Sequence, residues 1–322
     1  MKHLLKTLYS VNNMKKLLIV LILLISIKSS QACDICGCGV GGYYIGLLPD
    51  FSKRFIGIRY QFNQITTQLD IHGNRTALTT DEKYQTMELW GAWNIGQRWR
   101  VLALVPYNFN EKYTAGSDIL REKNGIGDIT LNGYYKLYEG SKSASNNKLI
   151  VQSLWLGLGV KLPTGSYDAF EQQNAMATNP NIFQLGTGSI DFIPSLMYDI
   201  RIQDFGINMN ASYKLNTENK DDYQYGNKIA GNASAYYKIA LGPNSRIAPN
   251  VGLSFEKQGK DHSMGFKVDE TGGHLLNASL GLEANFNRIS VGASFQTPIH
   301  QDLGRGRIDA GKRMLTHLSY SF

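Results

Sequence analysis

Cysteine is nearly absent from this 322-residue chain: it has three, all between positions 33 and 38. A disulfide framework spread through the fold is therefore excluded. Proline is sparse as well, with 8 residues, and no segment beyond Gly42 keeps a helical spacing of apolar residues for long, which argues against a helical bundle. Long apolar runs are missing except for one, Leu17 to Ile27. At about 11 residues it is roughly half of what a spanning helix requires, so a helical membrane protein is excluded.

A large excess of charge is also lacking once the beginning of the chain is set aside. The formal net charge is +7, but residues 1–32 carry Lys2, Lys6, Lys15, Lys16 and Lys28 and no acid, which leaves +2 for the remainder. Lys15 and Lys16 precede the apolar run, and Ser30-Gln31-Ala32 places small residues at the −3 and −1 positions. That order of basic, apolar and small residues reads as an export signal cut after Ala32. With the signal removed there is no basic surface left to argue for nucleic acid, and no such partner is expected.

What the chain has instead is glycine, 33 residues, and aromatics, with 18 Tyr, 13 Phe and 4 Trp. From residue 54 onward they fall in runs of about ten residues with alternating character. Ile56, Ile58, Tyr60 and Phe62 alternate with Gly57, Arg59 and Gln61, and Ile207, Met209, Ala211, Tyr213 and Leu215 alternate with Asn208, Asn210, Ser212 and Lys214. Successive side chains of a strand point to opposite faces, so each run has an apolar and a polar face. The polar faces are mostly Asn, Ser, Thr, Gln and Gly rather than the Lys and Glu of a water-exposed sheet. Rings such as Trp93, Tyr107, Phe109, Tyr135, Tyr198 and Tyr213 mark the ends of the apolar faces. Apolar outside, wet inside and aromatic at both rims is the pattern of a barrel in a membrane.

Connections alternate in length. Short ones are expected at Asn94–Gln97, Asp199–Asp204, Leu241–Arg246 and Asn285–Asn287, with longer polar ones near 66–82, 111–124, 165–184, 216–225, 257–272 and 300–312. Glu139–Lys148 is too long for the short class. Outer-membrane barrels pair short periplasmic turns with longer external loops. The expected fold is all-β: a transmembrane antiparallel up-and-down β-barrel of about 12 strands over 54–322, after a signal peptide at 1–32 and a Cys/Gly-rich periplasmic segment at 33–53. The even count puts both termini in the periplasm of a Gram-negative bacterium. The last segment alternates and ends on Phe322, the kind of end that barrel-assembly machinery reads.

Gly125-Ile126-Gly127-Asp128-Ile129, Gly159-Val160-Lys161-Leu162-Pro163-Thr164-Gly165 and Gln184-Leu185-Gly186-Thr187-Gly188-Ser189-Ile190-Asp191, with Leu104-Val105-Pro106-Tyr107 ahead of them, resemble the outer-membrane transporter barrels of the phenol meta-pathway type. The start, Cys33-Asp34-Ile35-Cys36-Gly37-Cys38, is similar to that of uncharacterised barrels from Bacteroidetes-type bacteria. The resemblance implies passage of small molecules across the outer membrane, with hydrophobic or aromatic compounds or metal-linked solutes as candidates. The alternative is a structural or surface-binding barrel with a plugged lumen.

Inward-facing ionisable residues are the candidates for lining the pore: Arg59, Glu88, Asp128, Lys136, Lys161, Asp191, Lys214, Lys238, Glu256, Glu283, Arg288 and His317. Their mixed signs suit either mutual pairing that braces the barrel or a selective path. The glycine motifs lack the order and the following helix of nucleotide-binding loops. His317 and Ser319 share a strand face without a third catalytic partner, so no enzyme is expected. Cys33, Cys36 and Cys38, helped by Asp34, could wrap one Cu or Zn ion. A disulfide with one free thiol, lipidation of Cys33 and redox use stay open beside it.

Overall fold

A computed structural model describes residues 53–322 except 118, 144–148 and 172–180. The signal peptide and the Cys33–Asp34–Cys36–Cys38 segment expected from the sequence lie outside these residues. The strands of the first half are β1 (Phe55–Thr67), β2 (Thr80–Ile95), β3 (Trp99–Thr114), β4 (Ile119–Ile126), β5 (Thr130–Ser143), β6 (Leu149–Lys161), β7 (Asp191–Ile202) and β8 (Phe205–Lys214). The second half has β9 (Tyr223–Gln224), β10 (Lys228–Tyr237), β11 (Ile239–Gly242), β12 (Ser245–Gln258), β13 (His262–Ser263), β14 (Phe266–Lys267), β15 (Gly273–Phe286), β16 (Ile289–Leu303) and β17 (Asp309–Ser321).

Each long strand pairs antiparallel with its neighbour in sequence, and β17 returns to β1, so the sheet closes on itself. β4 and β5 both pair with β3 and form one stave broken at 127–129, and β11 continues β10 after Lys238. The result is a closed barrel of twelve staves. Closure leaves no sheet edge, which lipid could not satisfy. Among the described residues no helix is long and apolar enough to cross a membrane; the crossing is made by strands.

Alternation decides which face meets lipid. Ile58, Leu89, Leu158, Val251, Leu253, Leu280 and Leu318 point outward and are about half exposed, while Arg59, Glu88, Gly159, Lys161 and Ser254 on the same strands point inward and are buried. Aromatic residues mark both rims. At the short-turn end Trp93 stands 5.6 Å from Phe322 and Trp99 stands 4.8 Å from Tyr135, and toward the long-loop end Tyr107 stands 4.9 Å from Phe109. Ten residues of β3 separate Trp99 from Phe109, about 33 Å along the strand and roughly 25 Å once tilted, the height of an outer-membrane apolar band.

Three expectations about connections are corrected. The stretch 111–124 is not a long loop: β3 continues to Thr114 and β4 begins at Ile119. Its strand character was hidden because the band is left behind there and both faces turn polar; Lys83 and Glu111 pair outward while Lys112 and Glu82 pair inward, each at 3.2 Å. Strands also invade 300–312, where β16 runs to Leu303 and β17 starts at Asp309. A bulge opposite Leu276 and Asn277 shifts the register there and turns His300 outward. Finally, β5 runs to Ser143 and β6 resumes at Leu149, so the turn at Glu139–Lys148 belongs with the short ones.

Candidate functional site

The lumen is the only face of the described barrel where polar groups concentrate away from bulk water, and its two halves differ. On β1, β2, β3, β5, β6 and β7 the inner face near the short turns is apolar: Phe55, Trp90, Leu102, Leu104, Tyr134 and Trp155 form one buried cluster. Phe55 and Trp90 meet edge to face with centroids 4.5 Å apart. Gly157 and Gly159 make room for this packing, since a Cβ at Gly157 would lie 2.6 Å from the Tyr134 ring and one at Gly159 would lie 2.3 Å from Asn132 Oδ1. On β8, β10, β12, β15 and β16 the middle of the inner face is mainly Asn, Ser, Gln and Gly, with Lys214, Lys228, Glu256 and Glu283 toward its ends, and Asn208, Asn210, Asn232, Ser279 and Gln296 are half-buried rather than sealed.

Above the apolar cluster runs a band of charges. In-register pairing sets Glu88 beside Arg59 and Arg59 beside His317. Arg59 forms an ion pair with Glu88, and its guanidinium lies 5.4 Å from the Trp90 ring centroid. His317 Nε2 lies 3.0 Å from both carboxylate oxygens of Glu283, two strands away on β15. Gly292 on the strand between them permits this: a Cβ there would stand 2.3 Å from both Glu283 Oε1 and His317 Nε2. Glu256 sits between Lys228 at 2.9 Å and Arg313 at 2.6 Å.

The densest cluster joins the three glycine-rich motifs. Lys161 Nζ donates to Asp128 Oδ2 at 2.7 Å, pairs with Asp191 Oδ2 at 2.8 Å and donates to the Thr187 hydroxyl. Lys214 pairs with Asp191 at 3.4 Å. The backbone N–H groups of Gly165 and Thr187 donate to the two oxygens of Asp128 at 3.0 and 2.8 Å. Such close backbone approach needs glycine, because a Cβ at Gly186 would lie 2.4 Å from Asp128 Oδ1 and 2.7 Å from Gly165 O. Thr164 spans the gap in the stave, donating to Gly127 O at 2.8 Å and accepting from Ile129 N–H at 2.9 Å.

This knot draws the flanking segments 162–171 and 181–190 of the β6–β7 connection into the barrel. Asn108 and Asn110 on β3 donate to the carbonyls of Leu185 and Gln184, each at 3.3 Å. Phe183 is fully buried with Ile65 of β1, Tyr84 of β2 and Leu275 of β15, and Lys112, Arg121 and Lys123 lie 5.4 to 5.8 Å from its ring centroid. Burial of Tyr167 pushes its hydroxyl up to about 12, which keeps it neutral while it accepts from Asn181 Nδ2 at 2.7 Å. Asp168 and Glu171 fasten the outer end to Lys123 and Arg121. The hydrogen bond from Lys123 holds the Asp168 carboxyl below the usual carboxylate range of 3.8. A lowered carboxyl contributes its stability above 3.8 and loses it as pH falls through the lower folded value. Protease sensitivity of 162–171 is therefore expected to stay flat from pH 8 to pH 5 and to rise only below pH 3.8, which limited proteolysis with an acid-active protease checks.

The remaining sequence candidates lie elsewhere. Lys136 stands 5.0 Å from the Trp155 ring centroid and donates to Glu139 at 2.8 Å, and Lys238 lies over Tyr236 at the short-turn end. Arg288 does not line the lumen: it occupies the exposed turn between β15 and β16 and donates to the outward Tyr320 hydroxyl at 3.3 Å. Turn residues escape the strand alternation from which its inward position was read. Glu82, Lys112, Lys228 and Arg313 line the lumen and were missed. Two of them sit in the stretch read as the 111–124 loop or across from it, and alternation counted along β10 would have found Lys228. Among the described residues no group of three or more His, Cys, Asp or Glu could hold a metal ion.

With the fold and lumen established, comparison with known proteins adds three findings. The family model whose description names the MetA-pathway of phenol degradation matches residues 59–300. An outer membrane channel from Pseudomonas putida superposes with a TM-score of 0.62 at 15% identity, covering 88% of this chain and all of that one. The β domain of a Bordetella autotransporter gives 0.47 at 13% identity over 84% of this chain and all of that one. No curated protein matches the sequence.

Proposed function

Because the chain belongs to the family whose description names the MetA-pathway of phenol degradation, we propose that it is an outer-membrane channel that lets small molecules cross between the cell surface and the periplasm. The observation that carries this reading is the contrast between the two faces of the barrel. The outside is a lipid-facing apolar band, whereas one inner half is a half-buried polar wall that a sealed structural barrel would have no reason to keep. The segments 162–171 and 181–190 fold against the inner wall, which suits selection among small solutes better than bulk passage. β1 begins and β17 ends at the short-turn end, and we assign that end to the periplasm, where residues 1–32 would be cleaved as an export signal and the Cys-rich segment would sit. The strand ending near Phe322 would be the contact for the assembly machinery.

Planar-bilayer conductance and liposome swelling test the reading. Discrete conductance steps and swelling with solutes of single-ring size are expected from barrel that migrates anomalously until heated. Silence in both assays, with the barrel folded, would replace this reading by the plugged one. The plugged alternative has its own support in the lumenal cluster around Trp90 and Trp155, whose buried rings pack into the interior near the short turns.

A further inference from the structure

The polar half of the lumen is ordered. Asn210 of β8 lies in register with Asn232 of β10, Asn232 with Ser254 of β12, and Ser254 with Asn277 of β15. One pleat repeat toward the short turns a parallel row follows: Asn208, Ser234, Gly252, Ser279 and Gln296. Gly252 takes a place where a Cβ would stand 2.5 Å from the Ser234 hydroxyl and 2.9 Å from that of Ser279, so the row stays level between them. The two rows carry no charge. Asn210, Asn232 and Ser279 are half-buried and face the lumen, and Asn277 keeps a buried Oδ1 with no partner among the described residues while its Nδ2 donates to Ser254 at 3.3 Å.

The charged groups around this wall already hold partners. Glu256 is held between Lys228 and Arg313, and Glu283 lies against the His317 ring. Across the lumen Glu88 pairs with Arg59, Glu82 with Lys112, and Asp128 and Asp191 with Lys161. The apolar residues on the far side are no alternative surface, since Trp90, Leu102 and Leu104 are each only 1% exposed. What a solute meets is therefore a sheet of fixed amide and hydroxyl dipoles.

We infer that this amide–hydroxyl wall is the selective surface of the channel and that it takes uncharged, hydroxyl-bearing small molecules. The inference rests on the channel reading and narrows it to a substrate class. An Asn amide both donates and accepts, and a hydroxyl does the same, so a neutral hydroxyl compound exchanges water for wall one hydrogen bond at a time. An ion leaves its hydration shell and finds uncharged rows whose neighbouring charges already hold partners among the described residues. A hydrocarbon leaves the amides unpaired as it passes.

The test is swelling of liposomes carrying the full chain, with arabinose against arabinonate, the five-carbon carboxylate formed by oxidising its C1. Arabinose is expected to enter at least about tenfold faster than arabinonate, since the anion bears an uncompensated desolvation cost. The double variant Asn210→Leu/Asn232→Leu, with heat-modifiable migration retained, is expected to slow arabinose about fivefold through the lost hydrogen bonds. Equal rates for the two solutes through a conducting barrel would overturn the inference and leave the channel standing. So would an unchanged arabinose rate in the double variant. Absence of both swelling and conductance from a folded barrel is the different result that removes the channel reading itself and this inference with it.

Discussion

Gly57→Val is expected to abolish barrel closure, leaving a protein that migrates as unfolded chain whether heated or not. Gly57 sits on β1 directly opposite Ser319 of β17, at the seam where the last strand meets the first. A Cβ at this position would stand 2.3 Å from Leu318 O and 2.8 Å from Ser319 Cα. Both are backbone atoms, so no rotamer change relieves the clash and the strands themselves must part. Overpacking ordinarily costs about 1–3 kcal/mol where side chains can adjust. At a seam that must close to satisfy its edge groups in lipid, about 3 kcal/mol or more is expected, which is a change of over a hundredfold in the folded fraction. Refolding into detergent micelles, followed by unheated electrophoresis, reads that fraction directly. Gly242→Ala is the matched control, because nothing lies within 4 Å of a Cβ there. Normal folding of Gly57→Val beside normal folding of the control would show that the seam is looser than described.

The barrel was legible in the sequence because its cause is local. A period of two is written into each strand, and Leu154, Leu156, Leu158 and Val160 declare their face without reference to any other strand. The legibility ends where the environment changes along a strand. Beyond the apolar band β3 and β4 meet water on the outside and a folded-in loop on the inside, so Glu111, Lys112, Glu122 and Lys123 show no contrast between faces and read as loop. It also ends where inward positions are apolar. Leu102 and Leu104 alternate with Val101, Ala103 and Val105, all greasy, and only the fold tells that the first two fill the lumen. The ionisable residues could be assigned to the inner face one by one, but their partners could not. Asp128, Lys161 and Asp191 are 33 and 30 residues apart in pairs, and what brings them together is the order of staves, which no single strand encodes. The short glycine motifs that carried the family resemblance turn out to be the three strands and turns of that one knot.

That knot supports the second large expectation: Lys161→Met should release segments 162–171 and 181–190 from the inner wall and raise single-channel conductance severalfold. Lys161 is wholly buried and is the cation shared by Asp128 and Asp191. Methionine keeps the length of the side chain and removes the charge, leaving two buried carboxylates with only Lys214, 3.4 Å from Asp191, to offset them. Breaking a buried pair by removing one partner costs about 3–5 kcal/mol. The staves on either side are held by full ladders of β5 to β6 and β6 to β7, so the weaker element yields. That element is the loop, held to Asp128 by two backbone N–H groups and to the wall by Asn108 and Asn110. Heat-modifiable migration should therefore persist while conductance rises and protease cuts within 162–190 appear. Adding Asp128→Asn removes one of the stranded charges, and the double variant should recover part of the closed behaviour, since residues in one network do not act additively. Conductance that stays at the starting value in Lys161→Met, with the loop newly open to protease, would mean that the loop does not set the width of the path and that the limit lies deeper, among the charges between Arg59 and Glu283.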